Sequence, residues 1–166
     1  RGAHGMRLSK SVEQAIFVLL MLALQEGHKP VKSRVLSRLL NVSDSYLKKV
    51  LMKLSRAGLI DANASKRGGY TLHKPIHETS LKDVVLAVEG SRFEAGFPSR
   101  GHVLFNDGPH VDEGEAKIAA AFKKGMESYY RELDRLKLSE LLHEHAYRDG
   151  AVNWEDSAGL DKSGKH

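Results

Sequence analysis

The sequence has 166 residues, of which 41% are hydrophobic and 28% charged, a composition typical of one compact soluble domain with an arm or a tail. It contains no cysteine, which excludes disulfides, thiol nucleophiles, thiolate metal sites and cysteine-bound iron-sulphur clusters. The most apolar run, residues 15–24, is too short to cross a bilayer, so we expect a cytoplasmic protein with no membrane partner. Residues 1–5 are expected to be an appended leader before a natural start at Met6.

Charge is distributed unevenly along the chain. Residues 28–75 hold eleven Lys and Arg against two acids, a net charge of +9, and because the whole chain carries +5, the remainder carries −4. A basic module joined to an acidic remainder is typical of a protein in which one part faces a polyanion such as DNA. A basic surface that merely solvates the protein would give the same count, so charge alone leaves both interpretations open.

The N-terminal third predicts three helices. Ser11 is a candidate cap for a buried first helix that ends near Gly27, and Ser33 for a short second helix after Pro30. After a tight connection, Ser43 is a good N-cap for a third helix whose inner stripe is Leu47, Val50, Leu51 and Leu54. Two short helices joined by a tight turn indicate a helix-turn-helix.

The outward stripe of the third helix indicates DNA recognition. At helical spacing it presents four cations, one hydroxyl and one methionine, namely Ser45, Lys48, Lys49, Met52, Lys53 and Arg56. Residues in the first turns of a recognition helix enter the major groove first, so most base or near-base contacts are expected from Ser45, Tyr46, Lys48 and Lys49. With the cap residue Ser43, this stripe forms the predicted DNA-binding face.

Residues 59–72 read as strand, loop and strand. This pattern predicts a β-hairpin with Lys66 and Arg67 at its tip, which is how a wing reaches a DNA backbone or minor groove. A solvated hairpin without a partner is the alternative. The position directly after a basic recognition helix favours the wing.

The C-terminal half predicts a short helix, a loop and a long helix. Ser80 and Asp83 form a capping box for the short helix, which stops at Gly90, and residues 91–114 read as a Gly- and Pro-rich loop. From about residue 115 to 137 an apolar seam recurs every three or four positions, at Ile118, Phe122, Met126, Tyr129, Leu133 and Leu136. We expect this seam to pair two copies of the chain, because one small winged domain has little surface left to cover so long a helix. Packing on the same chain's winged domain is the alternative.

These segments resemble the Rrf2 family (IscR/NsrR/CymR-type) of bacterial transcriptional regulators. The resemblance rests on Met6-Arg7-Leu8-Ser9, on Ser43-Asp44-Ser45-Tyr46-Leu47, on residues 54–60, on the wing at 67–72, and on residues 80–90 and 138–142. It implies a mainly α fold with a small β-hairpin wing, that is, a winged helix-turn-helix plus a long C-terminal dimerisation helix. It also implies a homodimer that binds a palindromic operator in double-stranded DNA and usually represses.

The implied domain organisation has four parts after the leader. Residues 6–90 form the DNA-binding domain, 91–114 a loop and possible effector region, 115–148 the dimerisation helix with a short final helix, and 149–166 a flexible tail. Two features depart from the family. Many members hold an iron-sulphur cluster on three loop cysteines, which this chain lacks, and many have acidic or amide residues where Lys48 and Lys49 stand.

Other chemistry finds little support in the sequence. His73 and His77 flank Pro75, and two further histidine pairs, His143 with His145 and His102 with His110, have no convincing ligand spacing, so we expect neither metal nor cofactor. Phosphate-binding glycine loops and hydrolase motifs are missing, and we expect no enzymatic activity. Two alternatives remain: a protein-binding adaptor, and a DNA-binding sensor whose unknown small-molecule effector lies among Phe93, Phe97, Phe105 and the long helix.

Overall fold

A computed structural model describes residues 8–91 and 100–159. Most of these residues are helical, and one antiparallel hairpin forms the wing, which confirms the predicted mainly α, winged helix-turn-helix class. Met6, Arg7, Phe93 and Phe97 lie outside the described residues. In chain order the elements are α1 (Lys10–Leu24), α2 (Ser33–Leu40), α3 (Asp44–Arg56), β1 (Ile60–Asn63), β2 (Gly69–Leu72), α4 (Leu81–Glu89), α5 (Gly101–Leu104), α6 (Gly108–Arg135), α7 (Glu144–Arg148) and α8 (Trp154–Ser157).

The first helix is buried, as predicted, but it starts earlier. Ser9 is its N-cap and accepts a hydrogen bond from the Val12 N–H at 3.2 Å, so the prediction that Ser11 caps the helix is wrong. The apolar stripe of α1 meets those of α2, α3 and α4 in one core, whose fully buried side chains include Leu19, Leu36, Leu47 and Leu51. This core holds the helix-turn-helix rigid beneath its outer face.

The turn between α2 and α3 fixes the angle of the recognition helix. Asn41 takes the left-handed conformation, with φ of 53°, that ends α2 within one residue. Ser37 Oγ on α2 donates a hydrogen bond to the Asp44 carboxylate at the start of α3. Ser43 caps α3 as predicted, whereas Ser33 is the first helical residue of α2 rather than its cap.

The wing is a four-pair hairpin with Ile60 opposite Leu72 and Asn63 opposite Gly69. Its second strand also pairs with the segment before α2, because Val31 and Tyr70 exchange backbone hydrogen bonds of 3.0 and 2.8 Å. Gly69 makes this possible: any Cβ at that position would overlap the Val31 backbone, and its φ of 151° disfavours other residues. The wing is therefore joined to the start of the helix-turn-helix as well as to its end.

The Ser80 and Asp83 capping box of α4 is confirmed, and Ser80 also anchors α6. Its buried hydroxyl donates a 2.8 Å hydrogen bond to Asp134 Oδ1 near the end of α6. That hydrogen bond lowers the pKa of the Asp134 carboxyl, because it favours the ionised form. The C-terminal part of α6 thus packs on α4 of its own chain.

The long helix starts earlier than predicted. A loop was expected through residue 114 and a helix from about 115 to 137, but α6 runs from Gly108 to Arg135 and α5 precedes it. Asp107 caps α6 by accepting from the His110 N–H at 3.3 Å, and Pro109 fits because the first turn needs no N–H donor at that point. Its 28 residues make α6 about 42 Å long at 1.5 Å per residue.

The expected flexible tail is wrong for residues 149–159, which pack against the end of α1. The Trp154 indole N–H donates to the Met21 carbonyl at 2.7 Å, and the Trp154 backbone N–H donates to Gln25 Oε1 at 3.2 Å. Val152 pairs with Gln25 as a short parallel bridge, and Ala158 is buried. We call residues 149–159 the C-terminal strap.

Gly150→Ala is expected to destabilise the protein. Gly150 has φ of 79°, and an added Cβ would overlap the Gln25 carbonyl oxygen, so the strap must shift or detach. We expect a loss of about 1–3 kcal/mol in the free energy of unfolding, measured by urea denaturation followed by circular dichroism. Asp156→Ala, an exposed change in the same strap, is the control and should stay within about 0.5 kcal/mol; equal stability of both variants would contradict this prediction.

Candidate DNA interface

The outer face of α3 is polar, basic and accessible. Ser45, Lys48 and Lys49 are exposed, as is Arg56 one turn before the wing, and Met52 lies among them with 44% of its surface accessible. Among the residues that the structure describes, these three cations have no carboxylate or hydrogen-bond partner. Their charge is therefore uncompensated and available to phosphates or to base edges.

Two residues of the predicted face also contact neighbouring helices. The Lys53 side chain is exposed, as predicted, but its ammonium donates a 3.1 Å hydrogen bond to the Val88 carbonyl near the end of α4. The Tyr46 hydroxyl lies 3.0 Å from Ser11 Oγ on α1, and its ring is half-buried. Both side chains link α3 to a neighbouring helix. Helical spacing places a residue on one face of a helix without fixing its rotamer, so these two contacts were not predictable from the spacing.

Ser43 caps the N-terminus of the recognition helix α3. Ser43 Oγ accepts a hydrogen bond from the Tyr46 N–H at 3.2 Å, and Ser45 Oγ lies 3.4 Å from it. The cap hydroxyl is exposed, so it stays close to the surface from which Ser45 and Lys48 project. The predicted role of Ser43 and Ser45 in binding DNA stays a prediction.

The wing tip carries Lys66 and Arg67, both exposed. With two further cations that precede α2, Lys29 and Lys32, they line one groove of about 530 Å³, which is also lined by Glu155 of the strap. Lys29 and Lys32 were counted in the basic module but not singled out as candidates. Only the pairing of Val31 with Tyr70 brings them beside the wing, and no local sequence pattern signals such a contact.

The seam of α6 divides into two parts. Before the last turn and a half of the helix, Ile118, Phe122 and Tyr129 are 41%, 64% and 36% exposed, and Met126 between them is half-buried. Toward its C-terminal end, Leu133 packs on the core of its own chain, and Leu136 lies just after the helix, where its carbonyl accepts from the Leu81 N–H at 2.9 Å. The alternative of packing within the chain therefore holds for the last two positions.

Next to the exposed seam, α5 adds further apolar surface. Val103, Leu104 and Phe105 are 77%, 71% and 63% exposed, and a cavity of about 1070 Å³ lies between α5 and the first turns of α6. Phe105 and Ile118 both line it. Of the three aromatic residues predicted to form an effector pocket, the structure describes only Phe105.

Within residues 8–91 and 100–159, no three His, Asp or Glu side chains are grouped as metal ligands would be. His102 Nε2 lies 2.6 Å from Asp112 Oδ1. The His110 backbone N–H donates to the Asp107 carboxylate, which caps α6. His143 and His145 stack with ring centroids 5.5 Å apart, an arrangement possible because His143 precedes α7 rather than lying inside it.

A profile of the Rrf2 family, described as "Iron-dependent Transcriptional regulator", matches residues 8–144. The chain belongs to the Rrf2 family. It is 35% identical over 146 residues to YffB, a protein of Lactococcus lactis named as an HTH-type transcriptional regulator, a match that covers 86% of this chain and 90% of that one. The chain is accordingly a DNA-binding transcriptional regulator and not an enzyme.

Further relatives agree with this assignment. The HTH-type transcriptional repressor NsrR of Streptomyces coelicolor is 25% identical over 138 residues, which are 82% of this chain and 88% of that one. Among solved structures, CymR of B. subtilis superposes with a TM-score of 0.55 at 21% identity, covering 82% and 96% of the two chains. T. potens IscR gives 0.58 at 21% identity, covering 93% and 99%. These two likenesses concern the fold.

Through residues 8–91 and 100–159, no helix of this Rrf2 protein combines the length with the apolar character of a membrane span. The 28-residue α6 carries charged side chains from Asp112 to Arg135.

Proposed function

We propose that this Rrf2 protein is a cytoplasmic homodimeric repressor that binds a palindromic operator in double-stranded DNA. The observation that carries the proposal is the uncompensated basic surface formed by α3 and the wing, with Lys48, Lys49, Arg56, Lys66 and Arg67 free of partners among the described residues. Repression is inferred from the relative NsrR, which is named as a transcriptional repressor. A two-fold dimer reads a two-fold site, so half-sites about 10 to 10.5 base pairs apart, or a multiple of that, are expected.

The exposed part of the α6 seam supports the dimer. Ile118, Phe122 and Tyr129 lie along one face of α6, next to the exposed apolar residues of α5. A monomer that exposed so much contiguous apolar surface would be prone to association. Pairing of two such faces across a symmetry axis covers it and leaves both recognition helices on the outside.

The lysines of α3 allow a matched experiment, because Lys53 binds the Val88 carbonyl whereas Lys48 and Lys49 have no partner among the described residues. Lys49→Ala should weaken operator binding, and if Lys49 reads a guanine edge, it should relax discrimination at one operator position by about 1–3 kcal/mol. Lys48→Ala is expected to act in the same way. Lys53→Ala removes an equal charge from the same helix but from a side chain directed to Val88, and it serves as the matched control.

Fluorescence anisotropy with the operator, single-base operator variants and random DNA separates the outcomes. A loss that is equal on operator and random DNA would assign Lys48 and Lys49 to phosphates. No loss for either lysine, or a larger loss for Lys53→Ala than for Lys49→Ala, would contradict the proposed orientation of the recognition face.

We propose further that the protein works without an iron-sulphur cluster. Such clusters are held by thiolates, and this chain has no cysteine, so its donor set does not fit the group that the family description implies. Anaerobically purified protein should be colourless, and its operator affinity should be the same with and without reductant. Visible absorbance with stoichiometric iron and sulphide would overturn this expectation.

For the sensor alternative, the cavity beside Phe105 is a candidate ligand site. The cavity beside Phe105 joins α5 to α6, so a ligand there would touch the surface proposed for dimerisation. Such a ligand changes operator affinity only if it binds one arrangement of the dimer better than another. Replacing Phe105 with Ala should remove the response to that ligand and leave basal DNA binding intact.

A further inference from the structure

A second cavity lies between the wing and α7. Its volume is about 710 Å³, within the usual range for small-molecule sites. Its walls come from the end of α1, from β2 and the segment after it, and from α7. It is separate from the α3 face, from the α6 seam and from the cavity beside Phe105, so neither DNA nor the second copy proposed above accounts for it.

The cavity is held open by a histidine that bridges two of its walls. His28 Nε2 lies 3.1 Å from the Ala23 carbonyl and 2.9 Å from the Tyr147 carbonyl. Since carbonyls only accept, Nε2 carries the proton and donates to both. His28 adopts a left-handed φ of 49°, an uncommon conformation for a residue other than glycine, and this turn places its ring between α1 and α7.

The floor of the cavity is apolar and the rim is basic. Leu22, Ala23, Leu72, Ile76 and Tyr147 supply apolar atoms. Lys74 and Arg148 supply two positive charges, and Glu144 supplies the one carboxylate among the residues that line it, already paired with Arg148.

Several donors remain open to a ligand. The Lys74 ammonium has only a distant carboxylate, Asp83 at 3.9 Å, and neither Asp83 nor Asp61 lines the cavity. The His73 Nδ1–H already donates to Asp61 at 2.9 Å, so this ring supplies no further donor in that tautomer, whereas His77 has no hydrogen-bond partner among the described residues. The lining thus offers a net positive rim above an apolar floor.

We propose that this cavity binds a small organic acid: an apolar body on the floor with its carboxylate at Lys74 and Arg148. An apolar pocket with a few polar groups that fix orientation is the usual form of such sites. Charge-assisted hydrogen bonds from ammonium and guanidinium groups select a carboxylate over a neutral amide of the same shape. Because β2 forms one wall, the bound acid contacts the wing strand itself.

The test uses phenylacetate, with phenylacetamide as the neutral isostere and phenethylamine as the cation. The full-length protein is titrated without DNA, so the result is independent of the proposed repressor function. Backbone amide shifts in NMR spectra should change at Ala23, Leu72, Ile76 and Tyr147, with a roughly millimolar dissociation constant for a probe of this size. Phenylacetate should bind about tenfold more tightly than phenylacetamide, the effect of one charge-assisted hydrogen bond.

Two charge-matched double variants test whether Lys74 and Arg148 bind the carboxylate of the ligand. Lys74→Gln with Arg148→Gln should abolish the preference for the acid over the amide, while Lys124→Gln with Arg135→Gln, the same charge change on exposed positions of α6, should keep it. Shifts that occur only outside the cavity, or none up to about 10 mM phenylacetate, would overturn the site. Equal or tighter binding of the amide or the amine to the unmodified protein would overturn the ligand class.

Discussion

Ile118→Asp together with Phe122→Asp is expected to convert the proposed dimer to a folded monomer. Both side chains are exposed on the α6 face that we assign to the second copy, so the carboxylates do not disturb the core of one chain. At the paired seam they would bring four buried like charges together across the symmetry axis. Light scattering should report half the mass, and circular dichroism should report unchanged helix content.

Loss of the proposed dimer should also lower the affinity for the operator. Two linked half-sites raise affinity by about 10²- to 10⁴-fold over one, so the monomer should lose a factor of that order on a palindrome and little on a single half-site. Leu133 is unsuited to this test, because it packs within its own chain and an Asp there would unfold the protein.

Ala116→Asp with Ala120→Asp is the control for the dimer prediction. It adds the same charge to exposed positions of α6, each displaced by two residues from a seam position and so on the opposite side of the helix. This variant should remain dimeric. If the seam variant also stays dimeric, the interface lies elsewhere on the chain.

Steep salt dependence is the second large effect we expect. If about six cations of each protomer reach phosphates, log K should fall against log salt with a slope near −5 per bound protomer. The free cations of α3 and the wing, with Lys29 and Lys32 beside them, are enough to supply that number. Anisotropy titrations from low to moderate salt give the slope directly.

Neutralising the wing tip should shallow that slope. Lys66→Ala with Arg67→Ala removes two charges at exposed positions, and the slope should change by about two units per protomer with little change in sequence preference. Lys123→Ala with Lys124→Ala on α6 is the charge-matched control and should leave the slope unchanged. A salt response that is flat in the unmodified protein would contradict phosphate-dominated binding altogether.

Local chemistry made much of the fold predictable. Ser43 and Ser80 are followed by their partner residues at the spacing of a cap and a capping box, and the two strands of the wing are joined by a turn that contains glycine. The α6 start was missed because Gly108 and Pro109 were interpreted as helix breakers. Proline is compatible with a first turn, and only the Asp107 cap distinguishes that case.

The candidate site was predictable as a face but not as a set of rotamers. Helical spacing placed Lys49 and Lys53 together on α3, and both are exposed, but only Lys53 also binds a neighbouring helix, through the Val88 carbonyl. The packing of the C-terminal strap was not predicted from the sequence for a related reason. Its contacts join Trp154 to Met21 and Gln25, partners far away in the sequence, and its own residues show no periodicity.

The strap also sets the order in which the protein can complete its folding. Trp154 and Gln25 are 129 positions apart, and at roughly 5–20 residues per second the ribosome takes several seconds or more to supply the second partner after the first. Until then the backbone of Gln25 lacks its pairing with Val152. The nascent helix-turn-helix can collapse early, but the contacts between the end of α1 and the strap form only after the C-terminal residues leave the exit tunnel.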